Sequence, residues 1–182
     1  MAFVEANPEM GANLWTVPLK IDDEGVAGRP EVFLQTSFDE EHPSFSPDGR
    51  WLAYTSTESG TYQVYVRAFP DKGGEWQISN GGGSQPVWAH KRRELFFTTL
   101  DNQIMVARYA VEGDSFEVER PRPWSERRLA NVGYERNYDL DSDDRRFIGL
   151  MPAEITEEPQ SHVIFLLNFF DELRRRVSTE RR

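Results

Sequence analysis

The stretch SFSPDGRWLAYTS, residues 44–56, carries the strongest structural signal in this chain of 182 residues. Its proline fixes φ near the value that the second position of a tight turn needs. Asp48 can accept hydrogen bonds from backbone amides two residues on, and Gly49 tolerates positive φ. The residues after the turn alternate, so that Leu52 and Tyr54 share one face of a strand. The stretch therefore predicts a tight β-hairpin that packs this face against a neighbouring sheet.

The hairpin recurs along the chain. Residues 85–99 align without a gap with residues 42–56, residues 137–151 form a weaker third copy, and residues 1–17 fit as a partial copy. At an offset of 43 the matched pairs are Pro43 and Pro86, Phe45 and Trp88, Leu52 and Leu95, Tyr54 and Phe97, and Thr55 and Thr98. At an offset of 95 they are Phe45 and Leu140, Asp48 and Asp143, Gly49 and Asp144, Leu52 and Phe147, and Tyr54 and Gly149. Recurrence at this spacing is typical of a repeat fold.

Further short runs rich in β-branched and aromatic residues follow each copy, and this composition is typical of strands. The predicted strands outside the hairpins are 13–19, 31–36, 63–69, 75–79, 103–109, 115–120 and 162–169. Four antiparallel strands in about 40–45 residues make one blade of a β-propeller. We therefore predict an all-β chain of three to four blades in a partial ring. The predicted blades are about 1–36 (partial), 37–80, 81–122 and 123–168 (partial).

The turns of the second and third copies differ in sequence from the Pro-Asp-Gly turn of the first copy. His90, Lys91 and Arg92 replace the Pro-Asp-Gly of the first copy. The second turn is therefore expected to be built differently and to be looser. In the third copy Asp144 takes the place of Gly49. Aspartate tolerates positive φ better than most residues, so this turn is expected to keep its shape.

The residues HPSFSPDGRWLAYTSTESGTYQVYVRAF (42–69) closely resemble the repeat of TolB-like and Tricorn-like (WD40-like) β-propellers. Residues 73–97 and 163–177 resemble the C-terminal propeller region of bacterial multidomain proteins, many of which carry a serine/threonine kinase-like domain upstream. The resemblance implies a non-catalytic interaction or sensor module that binds a protein or a small ligand. It also favours a periplasmic or extracytoplasmic location, although the first ten residues do not read as a signal peptide.

The chain holds too few strands for the six or more blades that the resemblance implies for a closed ring. Fourteen predicted strands make about four incomplete blades, and an open arc would expose two apolar blade faces. We therefore expect either the C-terminal part of a longer propeller or a homodimer in which two arcs complete one ring. In the tail, 169–178, Asp171 and Glu172 precede Arg174–Arg176. This charge order predicts a short C-terminal helix.

The composition narrows the partners. The net charge of −10 argues against nucleic acid, which proteins bind through Lys and Arg. No apolar run approaches the roughly 20 residues that span a bilayer, so no membrane insertion is predicted. The absence of cysteine excludes disulfides and thiolate metal sites. Residues 1–60 hold 11 Asp and Glu against 3 Lys and Arg, whereas residues 61–182 hold 20 against 18. The first third should therefore present an acidic surface.

The sequence predicts no catalytic residues and no cofactor. His42, His90 and His162 are far apart and occur in unlike contexts. Ser84 does not lie in the G-x-S-x-G turn that presents a hydrolase nucleophile. Propellers also occur beside the catalytic domains of serine peptidases. The alternative function is therefore an accessory propeller of a serine hydrolase whose catalytic domain is absent from this chain.

Metal and glycan sites are weaker hypotheses. Asp139, Asp141 and Asp143 resemble the start of a calcium loop, but Asp144 stands where that loop needs glycine. The repeat already explains these residues as a turn, so no metal site is predicted.

Two other surface features are an acidic run and a set of tryptophans. Asp22, Asp23 and Glu24 are predicted to form a solvated loop. A glycan site would need exposed tryptophans, and the candidates are Trp51, Trp76, Trp88 and Trp124.

Overall fold

Short runs of β-branched and aromatic residues form fourteen strands, and no helix occurs in the described part of the chain. The computed structural model describes residues 1–7, 11–19, 28–71, 73–133 and 135–153. All the strands belong to one unit, Met1–Pro152, and residues 153–182 form a second unit. The predicted strand at 162–169 and the predicted helix at 169–178 lie outside the described residues.

The strands form four antiparallel sheets in chain order. The first sheet holds β1 (Ala2–Asn7), β2 (Gly11–Thr16) and β3 (Glu31–Leu34). The second holds β4 (Glu40–Phe45), β5 (Trp51–Ser56), β6 (Gln63–Ala68) and β7 (Glu75–Gln77). The third holds β8 (Ser84–Trp88), β9 (Glu94–Thr98), β10 (Gln103–Glu112), β11 (Ser115–Val118) and β12 (Arg122–Arg128). The fourth is the hairpin of β13 (Tyr138–Leu140) and β14 (Phe147–Gly149).

Strand β12 is the one described strand that the sequence did not predict. The long strand β10 pairs with β9 on one side and shares its other side between two strands. Its first half, from Gln103 to Val106, pairs with β12, and its last four residues pair with β11. The fourth-strand position of this sheet is therefore filled by two strands, β11 and β12, rather than one.

The strand registers confirm the repeat. Phe45 pairs with Leu52 in the second sheet, and residues at an offset of 43, Trp88 and Leu95, pair in the third. At an offset of 95, Leu140 pairs with Phe147 in the fourth. The pairing of β4 with β5 is irregular between Glu41 and Ser44, and that of β8 with β9 is irregular at the equivalent place, between Ser84 and Val87. The repeat therefore preserves a β-bulge as well as the apolar pattern.

The first turn has the predicted geometry. Asp48 Oδ1 accepts hydrogen bonds from the Ser46 hydroxyl at 2.6 Å and the Arg50 amide at 3.1 Å. The Gly49 amide donates to the Ser46 carbonyl at 2.8 Å, and Gly49 adopts a φ of 69°. Asp144, in the equivalent position of the third turn, adopts a φ of 59°. The expectation that aspartate would preserve this turn is confirmed.

The second turn is built differently, as predicted, but the expectation of a looser turn is wrong. The Asp144 carboxylate, from the third turn, accepts hydrogen bonds from the amides of His90 at 2.7 Å, Lys91 at 2.6 Å and Arg92 at 3.2 Å. His90 Nδ1 lies 3.0 Å from the same carboxylate, and the Arg92 guanidinium donates to the Asp144 carbonyl. A carboxylate from the next sheet therefore replaces the local aspartate and glycine.

Both faces of the second sheet are buried. Leu52 and Tyr54 pack with Leu14 of the first sheet, which confirms the face predicted from the alternation. Trp51 and other residues of the opposite face pack with Trp88 of the third sheet. A further apolar cluster joins the third sheet to the fourth, and it contains Val87, Ala89, Phe96, Ile104, Val106, Leu129, Tyr138 and Leu140. Each sheet thus packs face to face on the next.

The sheets converge at one edge. β4 contacts β8 and β1 contacts β4, whereas no comparable contact joins β7 to β11 or β12 among the described strands. Four-stranded sheets that stack face to face and fan out from their first strands are propeller blades. The chain is therefore an all-β propeller segment, with β4 and β8 as the inner strands of two complete blades.

The core between the first and second sheets contains ionisable groups. The Tyr54 hydroxyl donates to Glu75 Oε2 at 2.6 Å, and Arg67 Nε donates to the same oxygen at 2.8 Å. Burial, together with the Glu75 carboxylate, raises the pKa of Tyr54. Glu40, at the start of β4, is also fully buried, and its Oε1 accepts a hydrogen bond from the Thr36 hydroxyl at 2.5 Å. This core differs from the aromatic one on the other face of the sheet.

Candidate functional site

A cavity of about 100 Å³ lies where the inner strands β4 and β8 begin. Its lining residues are Glu41, His42, Tyr62, Ser84, Gln85 and Gly133. Four of them come from the two inner strands, and Tyr62 precedes β6. Because inner strands border the axis of a propeller, this cavity lies on its axial side.

The repeated bulge places two of these side chains. His42 and Gln85 occupy equivalent repeat positions, each precedes a proline, and each has positive φ, 52° and 57°. Non-glycine residues rarely adopt this conformation, and it is often found at functional sites. The bulge turns the strand locally and so changes the direction of the side chain.

Gln85 is held by three neighbouring segments. Its amide donates to the Thr55 hydroxyl of the second sheet at 3.2 Å. Its carbonyl accepts a hydrogen bond of 2.6 Å from the Tyr138 hydroxyl of the fourth sheet. Its side-chain amide donates to the Glu135 carbonyl at 3.0 Å. These bonds fix the wall of the cavity before any ligand binds.

The cavity is rich in hydrogen-bond acceptors. Glu41 Oε2 lies 3.8 Å from His42 Nδ1, and both side chains are about one-quarter exposed. Burial raises the pKa of Glu41, His42 opposes the shift and Asp39 adds to it. The Ser84 hydroxyl lies 3.3 Å from the Thr98 hydroxyl. The half-buried carboxylate therefore suits a ligand that donates hydrogen bonds or carries positive charge.

The histidines and acidic residues considered from the sequence separate in the structure. His42 lines the cavity, His90 lies beside Asp144 in the second turn, and His162 is outside the described residues. Asp22, Asp23 and Glu24 also lie outside the described residues. The acidic run is divided among different contacts, because Asp141 pairs with Arg146, Asp143 accepts the Arg145 amide and Asp144 faces the second turn. In the described ranges, no three acidic or histidine residues converge as a metal-binding group.

The tryptophans do not form a glycan platform. Trp51 and Trp88 are buried in the core between the second and third sheets, and Trp76 packs beside them. Trp88 Nε1 donates to the Ser44 carbonyl at 2.9 Å. Trp124, on β12, exposes 39% of its surface and contacts Phe147. Three of the four candidates are therefore parts of a core.

Comparison with known proteins adds a structural likeness and no match in sequence. No family profile matches the chain, and no curated protein matches it. The crystal structure of TolB from Acinetobacter baumannii is similar to the chain, with a TM-score of 0.47 and 18% sequence identity. The similarity covers 80% of this chain and 45% of the TolB chain, so the chain spans less than half the length of that protein.

The described part of the chain contains no helix with the length and apolar character needed to cross a membrane.

The sequence did not predict the cavity between β4 and β8. The available signal was the residue before each repeated proline, His42 and Gln85, which the offset of 43 already aligned. Their positive φ follows from a bulge in the strand pairing, and a histidine or a glutamine before a proline does not by itself predict that bulge.

Proposed function

We propose that this propeller segment is a non-catalytic interaction module that binds a segment of a partner protein at the cavity between β4 and β8. The observation that carries the proposal is the repeated bulge. It places His42 and Gln85 at equivalent positions on two inner strands and brings them to one cavity. A rigid sheet scaffold with a small number of polar groups around a concave site is the usual form of a binding site.

The lining chemistry suggests what the partner presents. Glu41 offers a carboxylate, and Tyr62 and Ser84 offer hydroxyl groups around the same cavity. A cavity of about 100 Å³ accommodates part of one side chain rather than a drug-sized ligand. A lysine or arginine of the partner fits both the size and the charge, because a charge-assisted hydrogen bond to a half-buried carboxylate is stronger than one between neutral groups.

A peptide library displayed on phage tests this proposal with the full chain as bait. We expect the selected peptides to share a lysine or arginine and to bind with micromolar affinity. Glu41→Gln keeps the size of the side chain and removes its charge. It should weaken binding about tenfold, which corresponds to about 1.4 kcal/mol. Isothermal titration calorimetry measures the loss.

The matched control is Glu117→Gln, which removes one charge from an exposed position on β11. It should change the affinity less than twofold. Selected peptides that lack a basic residue, or that bind the Glu41→Gln variant as tightly as the wild type, would contradict the proposal. Failure to select any peptide that binds would also contradict it.

A second copy of the chain is the other partner that we propose. Ile148 and Leu150, at the fourth hairpin, expose 74% and 58% of their surfaces. Exposed apolar groups of this size favour association. We expect light scattering after gel filtration to give the mass of a dimer at micromolar concentration, and Ile148→Asp to shift it toward the monomer. A wild-type chain that stays monomeric at 100 times that concentration would contradict the proposal of a dimer.

The proposal for the wider setting of the module rests on the sequence resemblance alone. We propose that it works as the C-terminal part of a larger bacterial protein, of the type that carries a kinase-like domain, in an extracytoplasmic compartment. The coding sequence upstream tests this directly. A kinase-like or membrane-spanning segment there supports the proposal, and a serine hydrolase domain would favour the accessory role instead.

A further inference from the structure

A cationic surface lies at the other end of the same strands, away from the cavity. It consists of Lys91, Arg92 and Arg93 in the second turn and of Arg145 and Arg146 in the third. All five residues are exposed. The chain as a whole carries a net charge of −10, so the clustering runs against its average composition.

The Asp144 carboxylate holds the two turns of the cationic surface together. It comes from the third turn and accepts the amides of His90, Lys91 and Arg92 in the second. Its side chain is completely buried in this contact. The contact therefore brings the three cations of the second turn beside the two arginines of the third, with the Asp144 carboxylate itself shielded from solvent.

Three of the five cations have no acidic partner in the described residues. Arg92 pairs with Glu94 at 3.2 Å, and Arg146 pairs with Asp141 at 2.9 Å. The structure records no ion pair for Lys91, Arg93 or Arg145 within the ranges that it describes. Asp143, the remaining carboxylate of the third turn, accepts the Arg145 amide at 3.0 Å.

We propose that the cationic surface binds an acidic segment of a partner protein, rich in Asp and Glu. The Asp144 contact fixes the backbone of the second turn against the third, so the two turns need little reorganisation when an anionic segment binds. Arginine also pairs with carboxylates in a two-pronged geometry that a point charge cannot supply. Complementary charge raises the association rate and gives the binding a strong dependence on salt.

An acidic protein segment is a better fit than nucleic acid or a membrane. A polyanion such as DNA extends far beyond five residues and would be repelled by the remaining surface of a chain with a charge of −10. An anionic bilayer would face the same repulsion over a larger area. A short acidic peptide contacts the two turns alone.

Fluorescence anisotropy with a labelled ten-residue peptide of alternating Glu and Ser tests the proposal. The full chain should bind this peptide in 50 mM salt and lose at least tenfold in affinity in 300 mM salt. The peptide with Gln in place of Glu should not bind. The variant Lys91→Ala/Arg93→Ala/Arg145→Ala leaves Asp144 and its donors in place, and it should weaken binding to the acidic peptide at least tenfold.

The matched control is Arg120→Ala/Arg122→Ala/Arg127→Ala, which removes three exposed cations near and within β12. Its net charge equals that of the test variant, and it should bind within threefold of the wild type. Equal losses in the two variants would show that only net charge matters and would overturn the proposal. Equal binding of the Gln peptide, or tighter binding of a ten-nucleotide DNA or of phosphatidylserine vesicles, would also overturn it. Unfolding curves of both variants establish that each is folded.

Discussion

The variant Asp144→Asn is expected to lower the free energy of unfolding by about 3 kcal/mol at pH 7. The wild-type carboxylate accepts three backbone amides, and its side chain is fully buried. An asparagine in the same place keeps the positive φ that the turn requires, since asparagine tolerates this conformation. Its NH₂ group, however, would face amide donors with no acceptor between them. Urea unfolding followed by tryptophan fluorescence measures the change.

The neighbouring variant Asp143→Asn controls for the charge of the turn. Asp143 is only partly buried and accepts a single local amide, so replacing it should lower the free energy of unfolding by less than about 0.5 kcal/mol.

The contribution of Asp144 to the free energy of unfolding should also depend on pH. Burial would raise the pKa of Asp144, but hydrogen bonds from His90, Lys91 and Arg92 outweigh burial and lower it. Its stabilising effect is therefore present above the ordinary value of 3.8 and is lost as the pH falls through the lower folded-state pKa. Equal losses of stability in Asp143→Asn and Asp144→Asn would refute the stabilising role of the Asp144 carboxylate.

The variant Glu40→Gln is expected to stabilise the protein at pH 8 by about 2–3 kcal/mol. Burial raises the pKa of Glu40 from 4.5 to about 7, the Thr36 hydrogen bond opposes this shift, and the charges of Glu58 and Asp39 add to it. Since the folded state holds the proton more tightly, the free energy of unfolding falls as the pH rises from about 4.5 to 7. A neutral glutamine removes this dependence.

Thermal and urea unfolding of both proteins at pH 5 and pH 8 test the Glu40 prediction. At pH 5 Glu40 is protonated in the folded state and only partly ionised in the unfolded state, so the two proteins should differ by less than about 1 kcal/mol. At pH 8 the variant should be the more stable. Glu117→Gln, at an exposed position, serves as the control and should leave the pH profile unchanged. A Glu40→Gln variant that is less stable than the wild type at pH 8 would show that the buried carboxylate is favourable there.

The parts of the fold that could be predicted from the sequence are those fixed by local chemistry and repetition. The Pro-Asp-Gly turn before Trp51 determines a hairpin by itself, and the offset of 43 carries its register to Trp88 and Leu95. The degraded third copy was also placed correctly, because Leu140 and Phe147 kept the apolar pair after the turn residues had changed. Apolar alternation survives changes that remove a turn signature.

The features that could not be predicted depend on distant residues. Nothing near His90 indicates that its amide bonds Asp144, which lies 54 residues later in the chain. β12 contains a proline and is mostly charged, so it reads as a connection. It becomes a strand because the long β10 leaves a free edge beside it. The cavity was missed for a similar reason, since its walls bring together residues far apart in the chain, His42 of the second sheet, Tyr62 just before β6 of that sheet and Gln85 of the third.

The cores differ in chemistry, and we expect this difference to determine which sheets separate first on unfolding. Between the second and third sheets the contact is formed by aromatic and aliphatic side chains around Trp51 and Phe97. Between the first and second it includes the hydroxyl of Tyr54 and the carboxyl of Glu40, and the charging of Glu40 weakens this core as the pH rises to about 7. In a stack where each layer contacts only its neighbours, separation begins at the weakest junction. The first three strands should therefore detach as a flap while the central pair of blades stays folded.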